Sequence, residues 1–207
     1  LAINSNLCPK DALMDRLIKA SHHIKNFEVY TSAEAMWSQS EYIRDGMDFK
    51  QWHNNMIRLV EEGNLTGLHV MCTINALCLD SLPQFLDMLV DMKRKYGRDY
   101  PNFTLNILRF PSFQSAVVLP REIKQKAIKL INERAILYKD ELHEHEYNQM
   151  NRLVNYLDSV DSPHSGADTL ERLQQDFKKF YTQYDKRRGK TFEKTFSPEM
   201  VEWYVGI

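Results

Sequence analysis

The chain of 207 residues carries 27 basic and 28 acidic side chains, so its formal net charge is only −1. A chain balanced in this way has no overall field to gather nucleic acid or an anionic membrane, and neither is expected as a partner. No apolar run approaches the ~20 residues of a membrane span, and the first residues lack the basic and apolar order of a signal peptide. The three cysteines form neither an even set nor a close-spaced metal group, so we expect a cytoplasmic protein with reduced thiols.

Four apolar runs rich in β-branched and aromatic residues are predicted as strands, at positions 1–3, 27–31, 68–74 and 103–108. Polar residues and then a helical pattern follow these runs. Strands that alternate with crossover helices lie parallel, so the sequence predicts an α/β fold with a parallel sheet, either barrel-like or doubly wound. No glycine-rich phosphate loop follows any of the runs, which argues against a nucleotide-binding Rossmann unit.

The pattern changes after position 111, where helical spacing replaces the alternation of strands and helices. One long helical stretch is predicted over about 121–160, followed by a break at 161–166. A further helix is predicted to start at Asp168 or Thr169, and a short aromatic tail covers 192–204. We therefore expect two regions, a βα region at 1–120 and a mainly helical region at 121–207.

Ligands of parallel α/β sheets bind at the carboxyl ends of the strands, so the residues just after each run are the first candidates for a site. These residues are polar, and those selected are Asn6, Ser32, Glu34, Asn75 and Arg109. Polar loops after strands can also serve only to cap helices, and that structural role stays open for each of them.

Arg44 lies in a segment between the second predicted strand and the helix that contains Trp52. A guanidinium presented there can bind a carboxylate through two parallel hydrogen bonds, which lysine cannot reproduce. The alternative is a surface loop in which Arg44 forms an ion pair with Asp45.

Short motifs around these residues resemble a known family. Residues 29–35, VYTSAEA, followed by residues 41–49, EYIRDGMDF, resemble the fourth-strand region of radical S-adenosylmethionine (SAM) proteins of the twitch-domain type. Residues 105–111 with 118–120 resemble the sixth strand and its exit, and residues 180–203 resemble the closing segment of the same subfamily. The motifs span most of the chain and follow the order of the family.

The resemblance implies a partial TIM barrel at 1–120 and a helical, twitch-like region at 121–207, with SAM lying across the strand tops beside a 4Fe-4S cluster. By position, Ser32 would contact the ribose or amino-acid part of SAM and Arg44 would bind its carboxylate. Glu34 matches the family pattern on the same loop. The remaining candidates, which would face cofactor or substrate, are Asn6, Asn75 and Arg109.

The resemblance further implies a radical enzyme in the intact protein. A reduced cluster would give SAM an electron, and the 5'-deoxyadenosyl radical would modify a small-molecule or peptide substrate, with an electron donor protein as a further partner. The family binds its cluster through three closely spaced cysteines, whereas Cys8, Cys72 and Cys78 are too scattered for that motif. We therefore expect that a missing N-terminal segment binds the cluster and that this chain alone does not cleave SAM.

Two other classes of function stay open. A different parallel-barrel enzyme would use acids such as Glu34 for acid/base chemistry, and a non-catalytic scaffold derived from a barrel enzyme would use no such chemistry. His143 and Glu146 have the spacing of a helical metal pair, but a solvated charged face is favoured. A solvated face is also favoured over a phosphate or acidic-peptide site for the basic group Lys178, Lys179, Lys186, Arg187, Arg188 and Lys190.

Overall fold

The structure is a computed structural model that describes residues 1–163, 166 and 168–207. In these residues the sheet has four parallel strands in the order β1-β2-β3-β4, namely β1 (Ala2–Asn4), β2 (Glu28–Thr31), β3 (Gly67–Ile74) and β4 (Asn102–Ile107). The predicted α/β class and parallel sheet are confirmed. Each strand differs from its predicted bounds by one residue at most at either end.

Helices connect the strands, namely α1 (Asp11–Ser21) after β1, α2 (Trp37–Ile43) and α3 (Phe49–Glu62) after β2, and α4 (Leu82–Tyr96) after β3. The predicted helix around Trp52 is confirmed as α3. Asp48 caps it by accepting a hydrogen bond from the N–H of Gln51 at 2.8 Å, and it ends before Gly63. α2 was not predicted, because that helix is short and has no side-chain cap.

After β4 the described residues form five α-helices, namely α5 (Arg121–Leu137), α6 (Glu144–Ser159), α7 (Leu170–Arg188), α8 (Phe192–Thr195) and α9 (Pro198–Gly206). The prediction of one long helical stretch over 121–160 is wrong, because the chain turns between α5 and α6. The hydroxyl of Tyr138 binds Asp87 of α4 at 2.6 Å, and a capping box of His143 and Glu146 starts α6. No helix of the described residues is both long and apolar enough to cross a bilayer.

The two faces of the sheet differ. One face is apolar and packs against α3, whose Trp52 donates its indole N–H to Thr31 at 2.7 Å. Its buried side chains include Val29, Leu68, Val70, Phe103 and Leu105. The opposite face is half-buried and carries Tyr30, His69, Thr73 and Thr104. Because parallel sheets are usually covered on both faces, this polar face is a natural place for a ligand or a further segment.

α6 covers the outer edge of β4 with its side chains. Glu146 accepts a hydrogen bond from the N–H of Phe103 at 3.0 Å, and Gln149 accepts one from the N–H of Leu105. Arg152 donates to the carbonyl of Leu105 at 2.7 Å. These bonds replace a neighbouring strand, so this edge of the sheet is closed.

Glu146 is fully buried, and Lys93 of α4 forms an ion pair with it at 3.0 Å. The predicted solvated face is therefore wrong for Glu146, which accepts hydrogen bonds from the backbone at the edge of the sheet and at the start of α6. By contrast, β1 forms the other edge of the described sheet, and its exposed residues Ala2 and Asn4 have no strand on their outer side.

Candidate functional site

A cavity of about 570 Å³ opens at the carboxyl ends of β1 and β2. Its walls come from the end of β1 and the loop after it, from the end of β2, and from the loop between α2 and α3. The lining residues are Asn4, Ser5, Asn6, Tyr30, Ser32 and the five consecutive residues 43–47. Its volume lies in the range of small-molecule sites, roughly 300–1,000 Å³. Its position is the one expected for ligands of parallel α/β sheets.

The loop after β1 is fixed by its own side chains. Ser5 Oγ accepts a hydrogen bond from the N–H of Leu7 at 3.1 Å, and Asn6 Oδ1 accepts one from the N–H of Cys8 at 3.2 Å. Leu7 is fully buried and has a φ of 49°, a strained conformation for a branched residue and one that clusters at functional sites. The amide NH2 of Asn6 keeps no partner among the described residues, so it is available to a ligand.

Arg44 and Glu34 form the charged centre of the site. Arg44 is the C-cap of α2, and its N–H donates to the carbonyl of Ser40 at 2.8 Å. Its Nε and Nη2 both donate to Glu34 Oε2, at 3.0 and 2.5 Å. The Glu34 side chain is 2% exposed and that of Arg44 is 30% exposed. Glu34 is therefore shielded from water, whereas Arg44 is open to the cavity. Nη1 of Arg44 has no partner within the part of the chain that the structure describes.

Burial raises the pKa of the Glu34 carboxyl, while the Arg44 guanidinium and a hydrogen bond from the Thr73 backbone lower it. The rise means that removing the carboxylate from water outweighs its favourable contacts. Both contacts of Arg44 fall on one carboxylate oxygen, so this is not the two-oxygen fork of an ideal pair. Glu34 therefore orients the guanidinium without using all of its donors.

The alternative left open by the sequence, an ion pair between Arg44 and Asp45, does not form, because Arg44 pairs with Glu34. Asp45 binds Arg188 at 2.8 Å and Lys190 at 3.1 Å instead, both from the end of the chain. The two neighbouring residues therefore point in opposite directions. Arg44 points toward the sheet, and Asp45 points toward the C-terminal region, which consists of α7, α8 and α9. The solvated face predicted for the basic group fits Arg188, whose side chain is 56% exposed, but not Lys190, whose side chain is 20% exposed.

The structure brings together four of the six candidates named from the sequence. Asn6, Ser32 and Arg44 line the cavity, and Glu34 lies beneath Arg44. Asn75 and Arg109 do not line it. Asn75 is buried, and its Oδ1 accepts hydrogen bonds from the backbone N–H of the two residues that start the next turn, Leu77 and Cys78. Arg109 is exposed beyond β4, on the far side of the sheet from β1.

The cysteines do not make a site for an iron-sulfur cluster. Cys72 and Cys78 are fully buried, and burial raises the pKa of both thiols, which opposes the thiolate form that iron binds. Cys8 donates to the carbonyl of Asp48 at 3.5 Å. Residues 1–163, 166 and 168–207 hold no group of three His, Cys, Asp or Glu side chains arranged to bind a metal. The described residues therefore do not fit a 4Fe-4S cluster.

Tyr30 is a lining residue that sequence reasoning missed. Its ring stacks on His69 with centroids 4.4 Å apart, and its hydroxyl donates to Glu28 at 2.8 Å. The signal was available, because alternate residues of a strand share a face and Tyr30 precedes Ser32 by two. The position lies inside the predicted strand, whereas only the residues after each strand were considered.

The cavity thus offers a guanidinium held by Glu34, the hydroxyl of Ser32, the amide of Asn6 and the stacked ring of Tyr30. Such a set suits a ligand with a carboxylate and several hydrogen-bonding groups. No family model, no curated protein and no solved structure matches the chain, so its function is argued from this geometry and from the motifs in its sequence.

Proposed function

We propose that the chain binds SAM in the cavity at the carboxyl ends of β1 and β2. Arg44 holds the carboxylate of the ligand, and Ser32 binds its ribose or amino-acid part. The observation that carries the proposal is that Ser32 and Arg44, which come from different elements, line one cavity beside Asn6.

The donors at the site support this ligand. A charge-assisted hydrogen bond to the carboxylate of the ligand needs a guanidinium with an unused N–H donor. Nη1 of Arg44 has no partner among the described residues. The hydroxyl of Ser32 has no described hydrogen-bond partner either. Glu34 acts as a positioning residue, because a guanidinium already held on one side loses less side-chain entropy when it binds a ligand.

SAM bound here would supply the adenosyl group for radical chemistry in a protein that also holds a reduced iron-sulfur cluster. The described residues do not fit that cluster, so it would have to be held by other residues. We further propose that the four parallel strands belong to an incomplete TIM-type barrel whose interior is the polar face of the sheet, and that a small molecule or a peptide is modified there. That face carries Tyr30, His69 and Thr73, which suit a polar ligand better than a packed core.

The burial of Glu34 bears on the alternative of a barrel enzyme with acid/base chemistry. A general acid or base must come within hydrogen-bond reach of the proton it transfers. Glu34 is 2% exposed, and its Oε2 already accepts two hydrogen bonds from Arg44. These contacts favour an orienting role for Glu34 over proton transfer to a ligand.

Calorimetric titration of the chain with SAM tests the proposal. We expect saturable binding by the wild type and a loss of about tenfold or more in affinity for Arg44→Ala, because charge-assisted hydrogen bonds contribute about 1.5–3 kcal/mol. Arg44→Lys should recover only part of the loss, because lysine cannot reproduce the planar contact. The matched control is Arg121→Ala, which removes an arginine paired with Asp158 far from the cavity and should bind SAM like the wild type.

A second ligand assigns the contact to the carboxylate. 5'-Methylthioadenosine has the nucleoside and the sulfur but lacks the amino-acid carboxylate. Its affinity should not change in Arg44→Ala if Arg44 holds that group. Absence of SAM binding by the wild type contradicts the proposal, and so does an equal loss for both ligands in Arg44→Ala. A non-catalytic scaffold would give the first of these results.

A further inference from the structure

The loop that carries Arg44 forms a whole wall of the cavity. Residues 43–47 all line it, and they connect the end of α2 to the cap of α3. The loop contains Gly46 at a φ of 83°, a backbone conformation that favours glycine. Such a loop needs outside contacts to keep one shape, and the C-terminal region supplies them.

Asp45 is held by two cations that flank a glycine. Arg188 Nη1 lies 2.8 Å from Asp45 Oδ2, and Lys190 Nζ lies 3.1 Å from Asp45 Oδ1. Gly189 between them ends α7 in the left-handed conformation, with a φ of 63°. That turn brings both neighbours of Gly189 to the same carboxylate. Lys190 also donates to the carbonyl of Glu41 at 2.5 Å, so it holds the last turn of α2 as well.

Tyr42 anchors the last turn of α2, directly before residues 43–47. Its hydroxyl donates to Asp185 Oδ1 at 2.7 Å, while Asp185 Oδ2 accepts the N–H of Phe192 at 2.8 Å. The hydroxyl of Tyr184 donates to the carbonyl of Tyr42 at 2.7 Å. The buried Tyr42 ring also contacts the rings of Tyr181, Tyr184, Phe192 and Phe196. The end of α2 is therefore fixed in an aromatic pocket of the C-terminal region.

We propose that Lys190 and Arg188 are positioning residues for the cavity: by holding Asp45 they keep residues 43–47 in place and keep the guanidinium of Arg44 on Glu34. The C-terminal region thus contributes to the binding site through Arg188 and Lys190, which bind Asp45 but do not line the cavity themselves. The inference about affinity rests on the proposed binding of SAM, whereas the inference about the order of the loop does not.

The test compares Asp45→Asn and Lys190→Met with the wild-type chain in two measurements, SAM affinity by calorimetry and hydrogen exchange of the amides of residues 43–47. We expect Lys190→Met to bind SAM about fivefold more weakly, which is the upper range for one partly exposed ion pair. Asp45→Asn loses the ion pairs to both Arg188 and Lys190 and should bind SAM at least as weakly. The exchange of residues 43–47 should become faster in both. The losses in the double variant should be less than additive, because either single variant already breaks the ion pair between Lys190 and Asp45, and only the bond from Lys190 to the Glu41 carbonyl is left to lose.

Three controls separate positioning from general stability. Lys190→Arg keeps the positive charge that pairs with Asp45 and should bind SAM within about twofold of the wild type. Lys186→Met removes an exposed lysine of α7 with no ion-pair partner among the described residues and should change neither measurement. In Lys190→Met the affinity for 5'-methylthioadenosine should fall less than that for SAM. The reason is that the contact between Lys190 and Asp45 affects the position of Arg44, which binds the carboxylate that only SAM has.

The outcomes distinguish this inference from the proposed function. Unchanged exchange of residues 43–47 in Asp45→Asn and Lys190→Met overturns the inference, whether or not SAM binds. Fully additive losses in the double variant also overturn it. If the wild type does not bind SAM but the exchange changes as expected, the proposed ligand is wrong and the role of the C-terminal region stands. Full SAM affinity in both single variants, with a wild type that binds, rejects the positioning role alone.

Discussion

Two buried glutamates lie at different places on one sheet, and only one of them has a partner that reaches a cavity. Glu146, beside β4, is paired with Lys93, and both side chains are essentially inaccessible to solvent. Glu34, after β2, is paired with Arg44, whose side chain is 30% exposed and lines the cavity. A pair closed on all sides can only stabilise the fold, whereas a pair with one open partner can also meet a ligand. This difference in exposure distinguishes the structural ion pair beside β4 from the ion pair at the candidate site.

The sharpest test of this comparison is Lys93→Met. Loss of the ammonium leaves Glu146 buried with a charge and no cation, and breaking a buried pair in this way costs about 3–5 kcal/mol. Urea unfolding measures the loss. Lys95→Met is the matched control, because Lys95 is exposed on the same helix, and its loss should stay within about 1 kcal/mol. Equal losses in the two variants contradict the closed role given to Lys93.

Arg44→Met should cost less, about 1–2 kcal/mol of unfolding free energy. Arg44 lines the cavity, so its truncation opens Glu34 to water, whereas Glu146 stays enclosed when Lys93 is truncated. The same unfolding measurement gives the value. A loss as large as that of Lys93→Met would mean that Arg44 is a structural residue and would weaken its assignment to the site.

The pH dependence of stability should show the smaller contribution of Glu34. Burial raises the pKa of its carboxyl, so the folded chain binds more protons than the unfolded chain between the two pKa values. The contribution of Glu34 to the free energy of unfolding therefore falls as pH rises through that interval. We expect the difference in unfolding free energy between the wild type and Glu34→Gln to decrease from about pH 4 to neutral pH. A difference that increases with pH would mean that Arg44 lowers the pKa of Glu34 on balance.

Sequence reasoning reached the site where the signals were local to a strand end. Ser32 follows β2 directly and Asn6 follows β1, so the rule that ligands bind at the carboxyl ends of parallel strands selects both. The same rule selects Asn75 and Arg109, which do not line the cavity. Asn75 caps its own turn, and a polar residue gives the same sequence signal in either role. Tyr30 was missed because it lies inside its strand.

The sequence by itself determined the parallel βα order, the bounds of the strands, the helix α3 and the start of α7. Those features depend on apolar periodicity and on caps such as Asp48 and Thr169, which act over a few neighbouring residues. Only the tertiary structure decided the partners of the charged side chains. Glu34 forms an ion pair with Arg44, Asp45 with Lys190, and Glu146 with Lys93. None of these ion pairs produces a periodic pattern in the sequence. Which charges meet depends on how distant elements pack, because a charged side chain can pair with any opposite charge that the fold brings within reach.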